Sequence, residues 1–127
     1  MQMDKRERPI NLDLLAFSFP LPALASIAHR VTGVMLFVGM AFLLYGLNLA
    51  LESEAGLAEA KLLLTYPLGK FIAWGILTLV GYHLVAGVKH LLMDFGFAET
   101  LPGARFAAQL CIALGVVLAA IAGVWVW

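Results

Sequence analysis

The chain has 127 residues, 63% of them hydrophobic and 13% charged, and its mean hydropathy is +0.97. A water-soluble domain carries about half apolar and a quarter charged residues, so this composition excludes water as the main solvent. The formal net charge is zero, which offers no general attraction to nucleic acid or to an acidic substrate.

Residues 1–21 are polar at first and then mixed. The opening MQMDKRERP has no apolar core, no small-residue cleavage site and none of the acid-poor Arg/Ser character of an organelle transit peptide. Pro9, Pro20 and Pro22 prevent one continuous helix from running into a membrane. Between them Ile10 to Phe19 mixes Leu and Phe with Asn11, Asp13 and Ser18, a pattern predicted to lie at the interface. The first span is predicted over 22–51, beginning at a proline tolerated in a first turn. A loop at 52–67 follows, with Glu52, Glu54, Glu59, Lys61 and a short helix-like patch. The second span is predicted over 68–93, and Asp94-Phe95-Gly96 marks its exit into a turn at 94–103. The third is predicted over 104–127, its Trp125 and Trp127 suited to the headgroup layer.

The runs Val31 to Leu51, Phe71 to Val88 and Phe106 to Trp127 contain no Asp, Glu, Lys or Arg. Each is about long enough to cross a hydrocarbon core of roughly 30 Å as a helix. The predicted fold is therefore all-α and integral to the membrane, one domain over 1–127 with three transmembrane helices. Three helices enclose a cofactor or a pore poorly, so a partner chain is expected to complete the bundle. Lys5, Arg6, Arg8, Arg30, Lys89 and Arg105 gather on one side, against Lys61 and Lys70 on the other. The positive-inside rule then places the N-terminus in the cytoplasm, the 52–67 loop in the periplasm and the C-terminus outside, with a bacterial inner membrane the simplest home. Cys111, the single cysteine, falls inside the third apolar run and reads as a small buried hydrophobe.

Ionisable groups inside apolar spans are costly and usually face protein, cofactor or water. On the second span His83, Gly87, His90 and Asp94 recur at i, i+4, i+7 and i+11, within a narrow sector of a 3.6-residue helix. On the first, Ser26, Arg30 and Gly33 repeat i, i+4, i+7, with His29 beside them. The two spans are antiparallel neighbours, so both stripes converge toward the cytoplasmic side. His83 lies roughly 15 Å inside the end of its helix, too deep to snorkel easily. Its imidazole serves an interhelical hydrogen bond, a proton relay or axial ligation of a haem iron. Gly87, one turn along, leaves room for a flat macrocycle. His90, roughly 10 Å from His83 along the axis, can reach a propionate or simply meet headgroups. Ser26 and Arg30 read as a snorkelling cation with a nearby hydroxyl, or as donors aimed at quinone carbonyls in an apolar pocket. Arg30 can also pair with a propionate or with Asp94.

The runs RPINLDL (Arg8 to Leu14), SIAHRVTGV (Ser26 to Val34) and YHLVAGVKHLLMDFG (Tyr82 to Gly96) resemble the cytochrome b anchor subunit of bacterial succinate dehydrogenase, the larger hydrophobic chain of respiratory complex II. The resemblance covers essentially the whole chain, and the specific part is Ser-x-x-His-Arg-x-x-Gly together with His-x-x-x-Gly-x-x-His-x-x-x-Asp. It implies that His83 is one axial ligand of a haem b whose other ligand comes from a second hydrophobic anchor subunit. It implies too that Ser26 and Arg30 belong to the ubiquinone site and that His29 and His90 lie near the propionates; beside it, the spacing makes Arg30 a further candidate at the propionates and Gly33, Gly87 and Asp94 candidates for support. By the same resemblance a flavoprotein oxidises succinate, an iron–sulfur subunit carries the electrons, and quinone is reduced beside this chain.

The chain itself has no dinucleotide fingerprint and no cysteine cluster, so succinate-oxidising chemistry is expected elsewhere. Other readings are the anchor of a fumarate reductase, a small transporter subunit whose stripes line an ion path, and a scaffold whose histidines only join helices.

Overall fold

The computed structural model describes residues 16–127. Arg8, Asn11, Asp13 and most of the predicted interfacial stretch lie outside them. The described residues form four helices and no strand: α1 (Leu21–Glu52), α2 (Glu54–Leu63), α3 (Pro67–Asp94) and α4 (Leu101–Val126). Three of these, α1, α3 and α4, are long and apolar enough to cross a membrane.

Proline sets each long helix start. Pro22, Pro67 and Pro102 occupy the first helical positions of α1, α3 and α4, where a missing N–H costs nothing and the fixed φ is already helical. Ser53 is the hinge between α1 and α2: its extended backbone ends one helix, and its side chain caps the next by accepting from the Gly56 N–H at 3.0 Å. The end of α3 is closed by backbone bonds from Phe95, Gly96 and Phe97 to Leu91, Met93 and Leu92. Gly96 takes the left-handed conformation there, with φ 89°.

Helix α3 is central, packing on both α1 and α4, while α1 also meets α4. What lies between them is small: Ala25, Gly39, Ala86, Ala108, Cys111, Gly115 and Ala122 are the buried apolar positions. In lipid, helices gain little from sequestering large apolar side chains and associate by close backbone approach. The large ones accordingly face outward, Phe37 at 84% and Val124 at 85% exposure among them. Tyr82 spans the junction of the three long helices. Its ring presses on Gly115 of α4, where a Cβ would lie 2.7 Å from the ring, and its hydroxyl donates to the Ala25 carbonyl of α1 at 3.0 Å. Near the other end of α3, Trp74 donates to the Ala119 carbonyl at 2.9 Å and packs edge-on against Trp127.

Candidate functional site

The two stripes meet between α1 and α3. His29 stacks on His83 with ring centroids 4.1 Å apart and planes 23° from parallel, and His90 lies against the same His29 ring at 5.1 Å. Three imidazoles thus form one continuous cluster. Gly33 makes the approach possible: a Cβ there would stand 3.0 Å from Cε1 of His83. Gly87 faces the Nε2 of His29 at 3.6 Å from its own ideal Cβ, so the space its missing side chain leaves borders the stacked imidazole of His29.

The hydrogen bonds assign the His83 tautomer. Thr32 Oγ1, one turn beyond His29, donates to the His29 carbonyl at 2.9 Å. Its hydrogen is spent there, so toward His83 Nδ1 at 3.2 Å that oxygen accepts. The His29 carbonyl, which can only accept, lies 3.1 Å from the same Nδ1. Both neighbours require a proton on Nδ1. Nε2 is then the lone-pair nitrogen, and it makes no hydrogen bond among the described residues. A neutral imidazole oriented through Nδ1–H with Nε2 free is the form that ligates a metal.

The chemistry of the donor set narrows which metal group fits. Among the described residues no cluster of three His, Cys, Asp or Glu side chains is arranged to hold a bare ion. His83, with one imidazole nitrogen free of hydrogen bonds beside Gly33, would instead suit a metal whose other ligands come from a macrocycle. His29 and His83 are stacked with their rings side by side, so the pair would not hold one metal between them.

Ser26 is half-buried and Arg30 exposed on α1. Arg30 and Asp94 form no ion pair; each instead acts electrostatically on His90. A concavity of about 480 Å³ lined by Phe71, Trp74, Ala119, Ala120, Gly123 and Trp127 is at the opposite end of α3, and its walls are almost wholly apolar.

Thr32, Tyr82 and Lys89 were not legible as site residues in the sequence. Thr32 sits at i+3 from His29, a spacing that would have placed its hydroxyl on the stripe. Lys89 reads as a cytoplasmic-side charge by its nearness to the end of α3, yet it is buried at 8% exposure.

Fold and site together define a multi-pass, all-helical membrane protein with an imidazole cluster near one end of the bundle. The family model for the succinate dehydrogenase/fumarate reductase transmembrane subunit matches residues 4–122, and the chain belongs to that family. Among its relatives, the succinate dehydrogenase cytochrome b556 subunit of Coxiella burnetii is 38% identical over 122 residues, covering 95% of this chain and 98% of its own. The subunit of the same name from Paracoccus denitrificans is 33% identical, covering 92% and 90%. The cytochrome b560 subunit of Reclinomonas americana is 32% identical, covering 91% and 83%.

Proposed function

We propose that this chain is the membrane-anchor cytochrome b subunit of a succinate dehydrogenase, holding haem b through Nε2 of His83 and contributing Ser26 and Arg30 to the ubiquinone-reduction site. The observation that carries this reading is the pair of contacts at His83 Nδ1, to Thr32 Oγ1 and the His29 carbonyl, which leaves Nε2 for iron. The haem supplies one-electron iron chemistry when bound. What the chain contributes is placement. Gly33 admits the imidazole, the contacts at Nδ1 fix its plane, and His29, Arg30 and His90 would hold the carboxylates of the macrocycle. His29, stacked on His83, would not supply the second protein ligand, which this reading assigns to another subunit.

At the quinone site, Arg30 offers planar, permanently charged donors and Ser26 a hydroxyl one turn away. Donors so placed hold the carbonyl oxygens and stabilise negative charge arriving on them during reduction. A flavoprotein, an iron–sulfur subunit and a second hydrophobic anchor are the partners this role requires, and succinate oxidation belongs to the first of them. The distribution of Lys and Arg supports an inner-membrane protein with its N-terminus cytoplasmic and its C-terminus periplasmic. The named relatives favour succinate dehydrogenase over fumarate reductase. Neither a transporter nor a bare scaffold accounts for an imidazole nitrogen left without a hydrogen bond beside Gly33.

The test is purification with partner chains, followed by a reduced-minus-oxidised spectrum and steady-state quinone reduction. A b-type spectrum is expected, together with a raised quinone KM in both Arg30→Ala and Ser26→Ala, in Ser26→Ala at unchanged haem content. An assembled complex without a Soret band, or unaltered quinone kinetics in the double variant, would overturn the reading.

A further inference from the structure

Lys89 is the one charged side chain buried among the described residues, at 8% exposure. An ammonium taken out of water in a membrane bundle requires negative charge near it. The described acids at this end of the bundle, Asp94 and Glu99, are exposed, and neither forms an ion pair with it. Lys89 lies seven residues along α3 from Tyr82 and three from Ala86, which places it on the face that packs toward α4, beside the imidazole stripe. The contacts of Gly33 with His83 and Gly87 with His29 fix the antiparallel register of α1 and α3. In that register Lys89 sits at the depth of Ser26 and Ile27.

We infer that Lys89 is a fixed positive charge set behind the haem site, sharing with Arg30 the neutralisation of the two propionates and holding the reduction potential of the iron up. This rests on the haem reading above. Haem b brings two carboxylates, and at this depth the described chain offers two basic side chains, Arg30 and Lys89. Reducing the iron adds one electron to the macrocycle and takes up no bond. A nearby cation therefore favours the reduced form by its interaction with that single added charge. Lys89 touches none of the reacting atoms. It is a positioning residue whose effect is electrostatic.

The experiment is a potentiometric titration of the purified complex, followed through the haem α band, for wild type, Lys89→Met and Lys89→Arg. For a unit charge about 10 Å away at an effective dielectric constant near 20, removal lowers the ratio of reduced to oxidised haem at fixed ambient potential by roughly tenfold. Lys89→Met should show that shift to lower potential, and Lys89→Arg should stay within about twofold of wild type. A Lys89→Met complex that titrates with wild type overturns the inference. So does an equal shift in Lys89→Arg, which would make side-chain shape the cause. If Lys89→Met does not assemble, Lys89→Gln takes the same measurement with the same two outcomes. A wild-type complex lacking haem defeats the haem reading itself, whereas a haem-replete complex with an unmoved potential defeats the role of Lys89 alone.

Discussion

Replacing Gly33 by alanine places a methyl group 3.0 Å from Cε1 of His83, 3.7 Å from its Nδ1 and 4.0 Å from its Nε2. The ring cannot slide away freely. Its Nδ1 is tied to the His29 carbonyl at 3.1 Å and to Thr32 at 3.2 Å, and the His29 ring stacks on it at a centroid distance of 4.1 Å. Moving it by a few tenths of an ångström strains those contacts and turns Nε2 off its axis. Overpacking of this kind costs about 1–3 kcal/mol, which corresponds to roughly five- to hundredfold weaker haem retention. Alanine also improves helix propensity at that position by about 1 kcal/mol, so the spans themselves should be no less stable. Haem per complex, measured as the pyridine haemochrome, and the rate of haem loss to an apoglobin trap separate the two effects. Gly87→Ala is the internal control, because its methyl would sit 3.6 Å from His29 Nε2, an ordinary contact. Gly33→Ala with wild-type haem content and release rate would refute the reasoning, as would an equal loss in both variants.

Thr32→Val removes one of two acceptors from His83 Nδ1 and leaves the His29 carbonyl in place, so haem retention should fall by about 1 kcal/mol, less than in Gly33→Ala; a larger loss contradicts this ranking. Tyr82→Phe deletes the bond to the Ala25 carbonyl but keeps the ring on Gly115. A cost of about 0.5–1.5 kcal/mol in thermal stability is expected, with a higher quinone KM because Ala25 adjoins Ser26, and with an unchanged haem spectrum. Trp74→Phe removes the bond to the Ala119 carbonyl near the opposite end of α3. Its stability should fall by a similar amount, about 0.5–1.5 kcal/mol, while spectrum and quinone KM stay as in wild type.

The three membrane helices were legible in the sequence because uncharged apolar runs of spanning length have few other solutions. The clustering of His29, His83 and His90 was legible too, since period and antiparallel connectivity together bring both stripes to one interface. What periodicity does not carry is contact between side chains far apart in sequence. The Thr32 to His83 bond joins positions 51 residues apart and the Tyr82 to Ala25 bond positions 57 apart. Both depend on the rotation of α1 against α3. Gly87 shows the same limit: its spacing from His83 is plain in the sequence, but the side chain it faces belongs to His29 on another helix. Lys89 escaped notice for a different reason. A lysine near a helix end normally snorkels, and only the packing of α3 against the small residues of α4 and α1 shows that this one is enclosed.

Electron paramagnetic resonance of the ferric complex carrying His83→Met tests the ligand assignment most directly. The wild-type complex should give a low-spin signal of two imidazole ligands, and the assembled variant should lose that signal while still co-purifying with its partner chains. An assembled His83→Met complex with the wild-type signal intact would place the iron on some other residue and contradict the account.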